Sequence, residues 1–559
     1  MASSKYLITA SFLILLSLFA SLSFAADTAP TTPVSSGTIC KGTPDPSYCK
    51  SVLPNQTSST VYDYGRFSFR KSLSQARTFV TLIDKYLKIR STLSVPAVRA
   101  LEDCQLLAGL NMDFFLNSYD TVNKTSQLLS TLKADDIQTF LSAILTNQQT
   151  CLDGIQSVAS SWGVKNGISV PLSNDIKLYS LSLELFTKGW VPKNMKGSGA
   201  RTGKKSGFKN GRMPMKMSSK TRAVYEAASR RKLEEANGVL VSDVVTVSQD
   251  GSGNFSTITD AIAAAPNNSA AANGYFLIYV TAGVYEEYVS IAKNKRYLMM
   301  VGDGINQTIL TGNRSVVDGW TTFNSATFAV VAPGFVAVNM TFRNTAGAIK
   351  HQAVAVRNGA DLSTFYRCSF EAYQDTLYTH SLRQFYRECD IYGTVDFIFG
   401  NAAVVFQNCN IYPRLPMSGQ FNAITAQGRT DPNQNTGTSI HNCTIRAADD
   451  LASNNGTTQT YLGRPWKQYS RTVYMQSYID TVVDPAGWRA WDGDFALSTL
   501  YYAEYNNTGP GSNTTNRVTW AGYNVITNSS DAANFTVSNF LLGDNWLPQT
   551  GVPYTGGLL

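Results

Sequence analysis

The sequence is poor in the residues from which many hydrolytic and metal sites are built. Among 559 residues there are three histidines, His351, His380 and His441, and charged residues make up only 15%. No Gly-x-Ser-x-Gly motif is present, which argues against the nucleophile elbow of serine hydrolases. No histidine and cysteine group has the spacing of a zinc site. We therefore expect no metal and no organic cofactor, and we interpret the histidines as structural or surface residues.

Long hydrophobic runs are also missing after the N-terminus. The first residues combine a positive Lys5, an apolar stretch from Tyr6 to Phe19, and Ser23-Phe24-Ala25, which fits a small-x-small cleavage site. An uncleaved membrane anchor is the alternative. We predict a signal peptide at residues 1–25, and hence a secreted, extracellular protein without a stable membrane anchor. Roughly a dozen Asn-x-Ser/Thr sequons agree with export, among them Asn55, Asn123, Asn339 and Asn455.

Acidic charge is scarce in one segment only. Residues 188–232 hold 14 Lys/Arg and one acid, whereas residues 240–559 hold 18 Lys/Arg and 23 Asp/Glu, a balance of −5. A nucleic-acid patch would be basic too, but an exported chain rarely meets nucleic acid, so we expect no such partner. We interpret residues 191–237 as a basic linker. A processing protease would cut it near residues 230–233, within Ser229-Arg230-Arg231-Lys232-Leu233.

Residues 38–190 have the pattern of helices. Leu73, Ala76, Val80, Ile83 and Leu87 recur every three or four residues, as on a helix with one buried face. Four cysteines fall in this half, and four cysteines allow three connectivities. Pairing by proximity favours Cys40–Cys49 and Cys104–Cys151.

From Val239 onward, short Val/Ile/Phe/Tyr runs alternate with Gly, Asn and Asp, which indicates strands and turns. A short motif recurs: Met or Cys, one polar residue, then Phe or Ile. Its copies begin at Met340, Cys368, Cys389, Cys409 and Cys443, spaced 28, 21, 20 and 34 residues apart. A period near 20 with insertions predicts one coil of a parallel β-helix per repeat, with the apolar members facing inward. A β-sandwich is the competing all-β fold, but it would not give one repeat in register.

The same repeat would stack Cys368, Cys389 and Cys409 on neighbouring coils. Adjacent strands lie about 4.8 Å apart, within the Cα separations that permit a disulfide. We expect a Cys389–Cys409 bond, and the alternative Cys368–Cys389 remains open.

Two aspartates occupy equal offsets in this repeat. Asp375 follows Cys368 by seven residues, and Asp396 follows Cys389 by seven. Equal offsets on adjacent coils would place the two carboxyl groups one above the other, so the pKa of one of them should rise. Such a pair offers an ionised nucleophile beside a protonated acid.

Five motifs in order give the chain a specific resemblance. From Asp243 to the C-terminus it resembles the pectin methylesterase family through Gly283-Val284-Tyr285-Glu286-Glu287, Gln352-Ala353-Val354-Ala355-Val356, Tyr373-Gln374-Asp375-Thr376-Leu377, Asp396-Phe397-Ile398-Phe399-Gly400 and Leu462-Gly463-Arg464-Pro465-Trp466. The resemblance implies a right-handed parallel β-helix over residues 240–559. It also implies hydrolysis of the methyl esters of homogalacturonan, in the cell wall, to pectate and methanol.

The resemblance also implies a role for each matching residue. Asp396 would be the nucleophile and Asp375 the general acid and base. Gln352 and Gln374 would stabilise the oxyanion, as neutral amide donors suit that task. Arg464 would pair with Asp396 and orient it. Substrate would be bound by Thr322, Gln352, Arg464 and Trp466.

The helical half, residues 38–190, resembles the pectin methylesterase inhibitor family in its cysteine pairs and helical pattern. This implies a four-helix bundle, a pro-domain that covers the cleft or acts as a folding and export chaperone. The partners would be methyl-esterified homogalacturonan, the pro-domain itself, separate inhibitor proteins and the processing protease. Two other functions stay open: a glycosidase or lyase that cuts the polysaccharide, and a non-enzymatic inhibitor or wall-binding protein.

Overall fold

The structure is a computed structural model that describes residues 31–56, 58–157, 162–193, 215–216, 218–229, 238–454 and 458–559. The predicted signal peptide, residues 1–25, lies outside the described residues, and so does the predicted processing site near residues 230–233. None of the helices found in the described part of the chain is long and apolar enough to cross a membrane.

The N-terminal half is a four-helix bundle, as the sequence predicts. Two short helices, α1 (Ser36–Cys40) and α2 (Pro46–Val52), precede four long ones. The long helices are α3 (Val61–Lys88), α4 (Val95–Lys124), α5 (Thr131–Ser157) and α6 (Trp162–Trp190). Each of them packs on two others, so that the four form a closed ring: α3 on α4, α4 on α5, α5 on α6, and α6 on α3. This arrangement gives the half a hydrophobic core of its own.

The start and the buried face of α3 follow from its sequence. Thr60 and Asp63 form a capping box, in which each side chain accepts a hydrogen bond from the other residue's backbone N–H. Leu73, Ala76 and Ile83 are buried. Both predicted disulfides of this half, Cys40–Cys49 and Cys104–Cys151, are present, and the second ties α4 to α5.

The segment interpreted as a linker contains secondary structure in its described residues. Met215–Lys216 is a strand that pairs in parallel with Val239 and Leu240, and α7 (Ser219–Ser229) follows it. Thr221 and Tyr225, one helical turn apart, are buried, and Tyr225 meets Tyr279 edge-on. Two inward residues at a four-residue spacing are enough to dock one helix face, a signal that the surrounding lysines and arginines obscure in the sequence.

The C-terminal half is a parallel β-helix made of three sheets. The chain visits the sheets in a fixed rotation, and every pairing between their strands is parallel. Parallel crossovers are right-handed in nearly all proteins, which gives the coil its expected hand. Short helices lie outside the coils: α8 (Ile258–Ala264), α9 (Asp449–Ala452), α10 (Ser529–Ala532), α11 (Val537–Phe540) and α12 (Leu547–Thr550).

The first sheet has twelve strands: Met215–Lys216, Val239–Val247, Tyr275–Val280, Leu298–Gly302, Val336–Val338, Ser363–Tyr366, Arg383–Arg387, Ala403–Gln407, Gly437–His441, Arg471–Met475, Tyr501–Tyr505 and Tyr523–Val525. The second has eight: Gly283–Glu286, Thr308–Gly312, Thr341–Asn344, Ser369–Glu371, Asp390–Gly393, Asn410–Pro413, Thr444–Ile445 and Tyr478–Ile479. The third has seven: Val289–Ile291, Phe328–Val330, Val356–Asn358, Leu377–Thr379, Ile398–Gly400, Asn422–Gln427 and Thr460–Gly463.

The repeated motif marks the corner between the first and second sheets. The residue before each Met or Cys has a positive φ in every copy: Asn339, Arg367, Glu388, Asn408 and Asn442. This left-handed residue turns the chain, and the apolar residues on either side of the intervening polar one then point into the core. All ten of those apolar residues are buried, as predicted.

The prediction of a Cys389–Cys409 disulfide is wrong. Cys368, Cys389, Cys409 and Cys443 are all free thiols inside the coil. The backbone N–H of Cys389 donates to the Cys409 sulfur at 3.5 Å. In-register side chains of parallel strands point the same way, so their Cβ atoms stay about 4.8 Å apart, and a disulfide needs about 3.8 Å. The Cα spacing is suitable, but the Cβ spacing is not.

Candidate active site

Asp375 and Asp396 occupy equivalent positions on adjacent coils. Each lies two residues before a strand of the third sheet, and those strands pair Leu377 with Ile398. The Asp375 N–H donates to the Val395 carbonyl at 3.1 Å, which continues the register back to the aspartates. Their φ angles are 63° and 53°, a left-handed conformation that aspartate tolerates and that is common at functional sites. The predicted stacking of the two carboxylates follows from this register.

Arg464 holds Asp396 with two parallel hydrogen bonds. Its Nε donates to Oδ1 at 2.8 Å and its Nη2 to Oδ2 at 2.7 Å. The guanidinium also lies over the Trp491 ring, 4.2 Å from its centroid. A planar fork on a carboxylate fixes both its charge and its orientation.

Burial and charge separate the two carboxyl groups electrostatically. Burial raises the pKa of Asp375 well above its ordinary value, and the neighbouring Asp396 charge raises it further. Burial also raises the pKa of Asp396, but the hydrogen bonds and charge of Arg464 oppose this. Because the arginine bonds directly to Asp396, the proton of the pair belongs on Asp375. Asp375 is thus suited to donate a proton and Asp396 to act as an anion.

All seven predicted site residues line one cleft of about 540 Å³: Thr322, Gln352, Gln374, Asp375, Asp396, Arg464 and Trp466. The side-chain amides of Gln352 and Gln374 are half-buried, and within the described part of the chain neither makes a hydrogen bond. Both amides therefore remain available as donors beside the aspartates. Trp466 lies so close to Gly428 that a Cβ there would be 2.9 Å from the ring.

Aromatic residues outside the set of predicted site residues also line the cleft, among them Tyr378, Phe399 and Trp491. Tyr378 stacks on Phe399 with ring centroids 4.2 Å apart. The alternation of strand residues would have found this pair, since each ring follows an inward-facing residue, Leu377 or Ile398. Trp491 lies in a long irregular loop, and no local signal places it here.

The helical half forms the opposite wall of the cleft. Pro96 and Asp103 of α4, and Thr150 and Asp153 of α5, line it together with the aspartates. Asp153 accepts a hydrogen bond from Lys467 at 2.8 Å. Away from the cleft, Arg383 bridges Asp135 of α5 and Asp361 of the β-helix, both at 2.7 Å. Fold and site thus define a β-helical hydrolase with a helical domain over its cleft.

Comparison with known proteins names the family. Residues 244–544 match the pectinesterase family, and residues 36–185 match the plant invertase/pectin methylesterase inhibitor family. The probable pectinesterase/pectinesterase inhibitor 7 of Arabidopsis thaliana is 68% identical, over 94% of this chain and 95% of that relative. Pectinesterase 2 of Citrus sinensis is 47% identical, over 93% and 94%. The solved pectin methylesterase from carrot is 57% identical with a TM-score of 0.55, over 56% of this chain and 98% of that one.

The chain therefore belongs to the pectinesterase family and carries an N-terminal domain of the inhibitor family. Its reaction is the hydrolysis of methyl esters of pectin.

Proposed function

We propose that Asp396 attacks the carbonyl carbon of a galacturonate methyl ester as the nucleophile. Methanol leaves with the proton of Asp375, and an acyl-enzyme anhydride remains on Asp396. Asp375, now ionised, then takes a proton from a water molecule that hydrolyses the anhydride, which returns both carboxyl groups to their starting states. The observation that carries this proposal is the division of roles in the pair: Arg464 binds Asp396 with two hydrogen bonds and does not bind Asp375.

Gln352 and Gln374 donate hydrogen bonds to the oxyanion of the tetrahedral intermediate. Amide donors stabilise the developing charge without neutralising the neighbouring carboxylates. Trp466 and Thr322 bind the sugar chain along the cleft. Gly428 and Phe399 contact the Trp466 ring and hold it at the cleft.

The helical half is a pro-domain that blocks the cleft. Its contacts reach the β-helix beside the cleft: Arg99 lies over the Trp320 ring, 3.7 Å from the centroid, and Thr150 hydrogen-bonds His380 at 3.0 Å. Because α4 and α5 form the wall opposite the aspartates, a polysaccharide chain would compete with them for the space in the cleft. Cleavage near residues 230–233 after export would let the pro-domain leave, and the enzyme would then act in cell-wall pectin. Separate inhibitor proteins would bind the same wall.

The test measures methanol and new reducing ends in the same tubes, with highly methylated pectin and residues 234–559. The solved carrot chain is covered over 98% of its length by 56% of this one, so a chain of this extent folds without a helical half. We expect methanol without new reducing ends, and a loss of at least about a thousandfold in Asp396→Asn. Asp390→Asn is the matched control, as Asp390 lies on the same coil and bonds Asn410.

Three outcomes would contradict the proposal. Reducing ends without methanol would mean a chain-cutting enzyme, and an active Asp396→Asn would remove the nucleophile from the mechanism. Equal activity of the full chain and of residues 234–559, at equal molar concentration, would mean that the helical half does not block the cleft.

A further inference from the structure

Lys467 and Asp153 form an ion pair at the rim of the cleft, across the contact between the two halves. The Lys467 Nζ lies 2.8 Å from Asp153 Oδ2, and the side chains are 20% and 31% exposed. The second oxygen of Asp153 accepts a hydrogen bond from the Gln149 amide at 2.7 Å, so each oxygen of the carboxylate has a donor. Nζ is also 5.1 Å from the centroid of the Trp466 ring. A carboxylate from the helical half is thus bound beside the ring proposed to carry the sugar.

The backbone of Lys467 is held in place independently of the helical half. Its N–H donates to the Ser470 hydroxyl at 3.2 Å, and the Ser470 N–H donates to the Lys467 carbonyl at 3.1 Å. Ser470 is fully buried. The lysine is therefore presented from a rigid turn, which reduces the entropy lost when it binds an anion.

Lys467 lies beside the cleft, next to Trp466 and Asp153, which both line it. Among the described residues that line the cleft, the one cationic residue is Arg464. It already donates two hydrogen bonds to the Asp396 carboxylate. When the helical half leaves, Arg464 keeps its partner and Lys467 loses Asp153. Residues 240–559 carry a balance of −5, so a local positive charge matters for holding a polyanion.

We propose that Lys467 binds the free carboxylate of a galacturonate unit that neighbours the methyl-esterified unit at Asp396. Asp153 takes the place of this carboxylate while the helical half is attached. The inference rests on the proposed esterase function.

The test uses the β-helix part, obtained by cutting the full chain at a protease site introduced at residues 230–233 and removing the helical half at high salt. Methanol release is measured on fully methylated and on partly de-esterified pectin, and the inhibition constant of unesterified hexagalacturonate is measured as well. The variants are Lys467→Gln, Lys467→Arg and the control Lys293→Gln. Lys293 loses a carboxylate partner, Asp113, across the same contact, but Asp113 does not line the cleft, whereas Asp153 does.

We expect Lys467→Gln to lower the ratio of kcat/KM on partly de-esterified pectin to that on fully methylated pectin by about threefold to tenfold, the range of one partly buried ionic hydrogen bond. It should raise the inhibition constant of hexagalacturonate by a similar factor. Lys467→Arg should restore most of both values, and Lys293→Gln should change neither.

An unchanged ratio and an unchanged inhibition constant in Lys467→Gln would overturn the subsite. Should the wild-type β-helix release no methanol, the esterase mechanism fails separately. Hexagalacturonate binding, followed by tryptophan fluorescence, then still tests the lysine: equal affinity in wild type and Lys467→Gln refutes the subsite, and weaker affinity in the variant supports it.

Discussion

Replacing Arg464 by lysine or by glutamine separates its charge from its geometry. Arginine bonds both oxygens of Asp396, at 2.8 and 2.7 Å. Lysine would keep the charge and one hydrogen bond, a loss of about 1.5–3 kcal/mol, so we expect kcat/KM to fall roughly tenfold to a hundredfold. Glutamine removes the charge as well and leaves a buried carboxylate uncompensated, which costs about 3–5 kcal/mol.

The pH profile of kcat/KM shows whether Arg464 orients Asp396 and keeps it ionised or only stabilises the fold. Burial raises the pKa of Asp396 and Arg464 opposes that rise, so removing the arginine raises this pKa further. The nucleophile must be ionised, and its ionised fraction falls as pH drops through that pKa. The acid limb of kcat/KM for methanol release should therefore move to higher pH in Arg464→Gln, and by less in Arg464→Lys.

A matched control exists at the far end of the β-helix. Arg517 pairs with Glu504 in a fully buried contact, 2.8 Å from Nε to Oε1. Arg517→Lys should lower the thermal unfolding midpoint without moving the acid limb. The argument is refuted if Arg464→Gln keeps the wild-type acid limb, or if Arg464→Lys and Arg517→Lys differ from wild type in stability alone.

Two further predictions concern the pro-domain contact and the sugar platform. Burial raises the pKa of Asp103 from its ordinary 3.8 to about 7. Between these two pH values Asp103 is protonated in the docked state and ionised in the separated helical half, so docking takes up one proton. The dissociation constant of the separated halves should therefore rise by up to about tenfold per pH unit as the pH approaches 7. Asp103→Asn should flatten that dependence, and an equally steep slope in this variant would count against it. Gly428→Ala would place a Cβ 2.9 Å from the Trp466 ring and 3.4 Å from the Gly400 carbonyl. We expect the KM for pectin to rise several-fold and the free energy of unfolding to fall by about 1–3 kcal/mol. An unchanged KM would show that the position of the ring does not matter for binding.

The sequence by itself determined the β-helix and the stacked aspartates. Inward-facing Met or Cys and Phe or Ile recur once per coil, and equal offsets from this repeat put Asp375 and Asp396 at equivalent positions of adjacent coils. A repeat period is a property of the sequence itself, so it can be recognised without knowing which distant residues meet in the fold. The helices and their two disulfides followed in the same way from apolar spacing and from the order of the cysteines.

Only the tertiary structure decided what depends on directions and on distant partners. The predicted Cys389–Cys409 disulfide is not formed because the side chains of parallel strands keep the Cβ atoms apart, which sequence spacing does not reveal. Trp491 and Arg464 meet across separate loops. Asp153 reaches Lys467 from a position 314 residues earlier in the chain. That contact depends on how the helical half packs against the β-helix, where one hydrophobic cluster contains residues of both halves, and no local pattern records it.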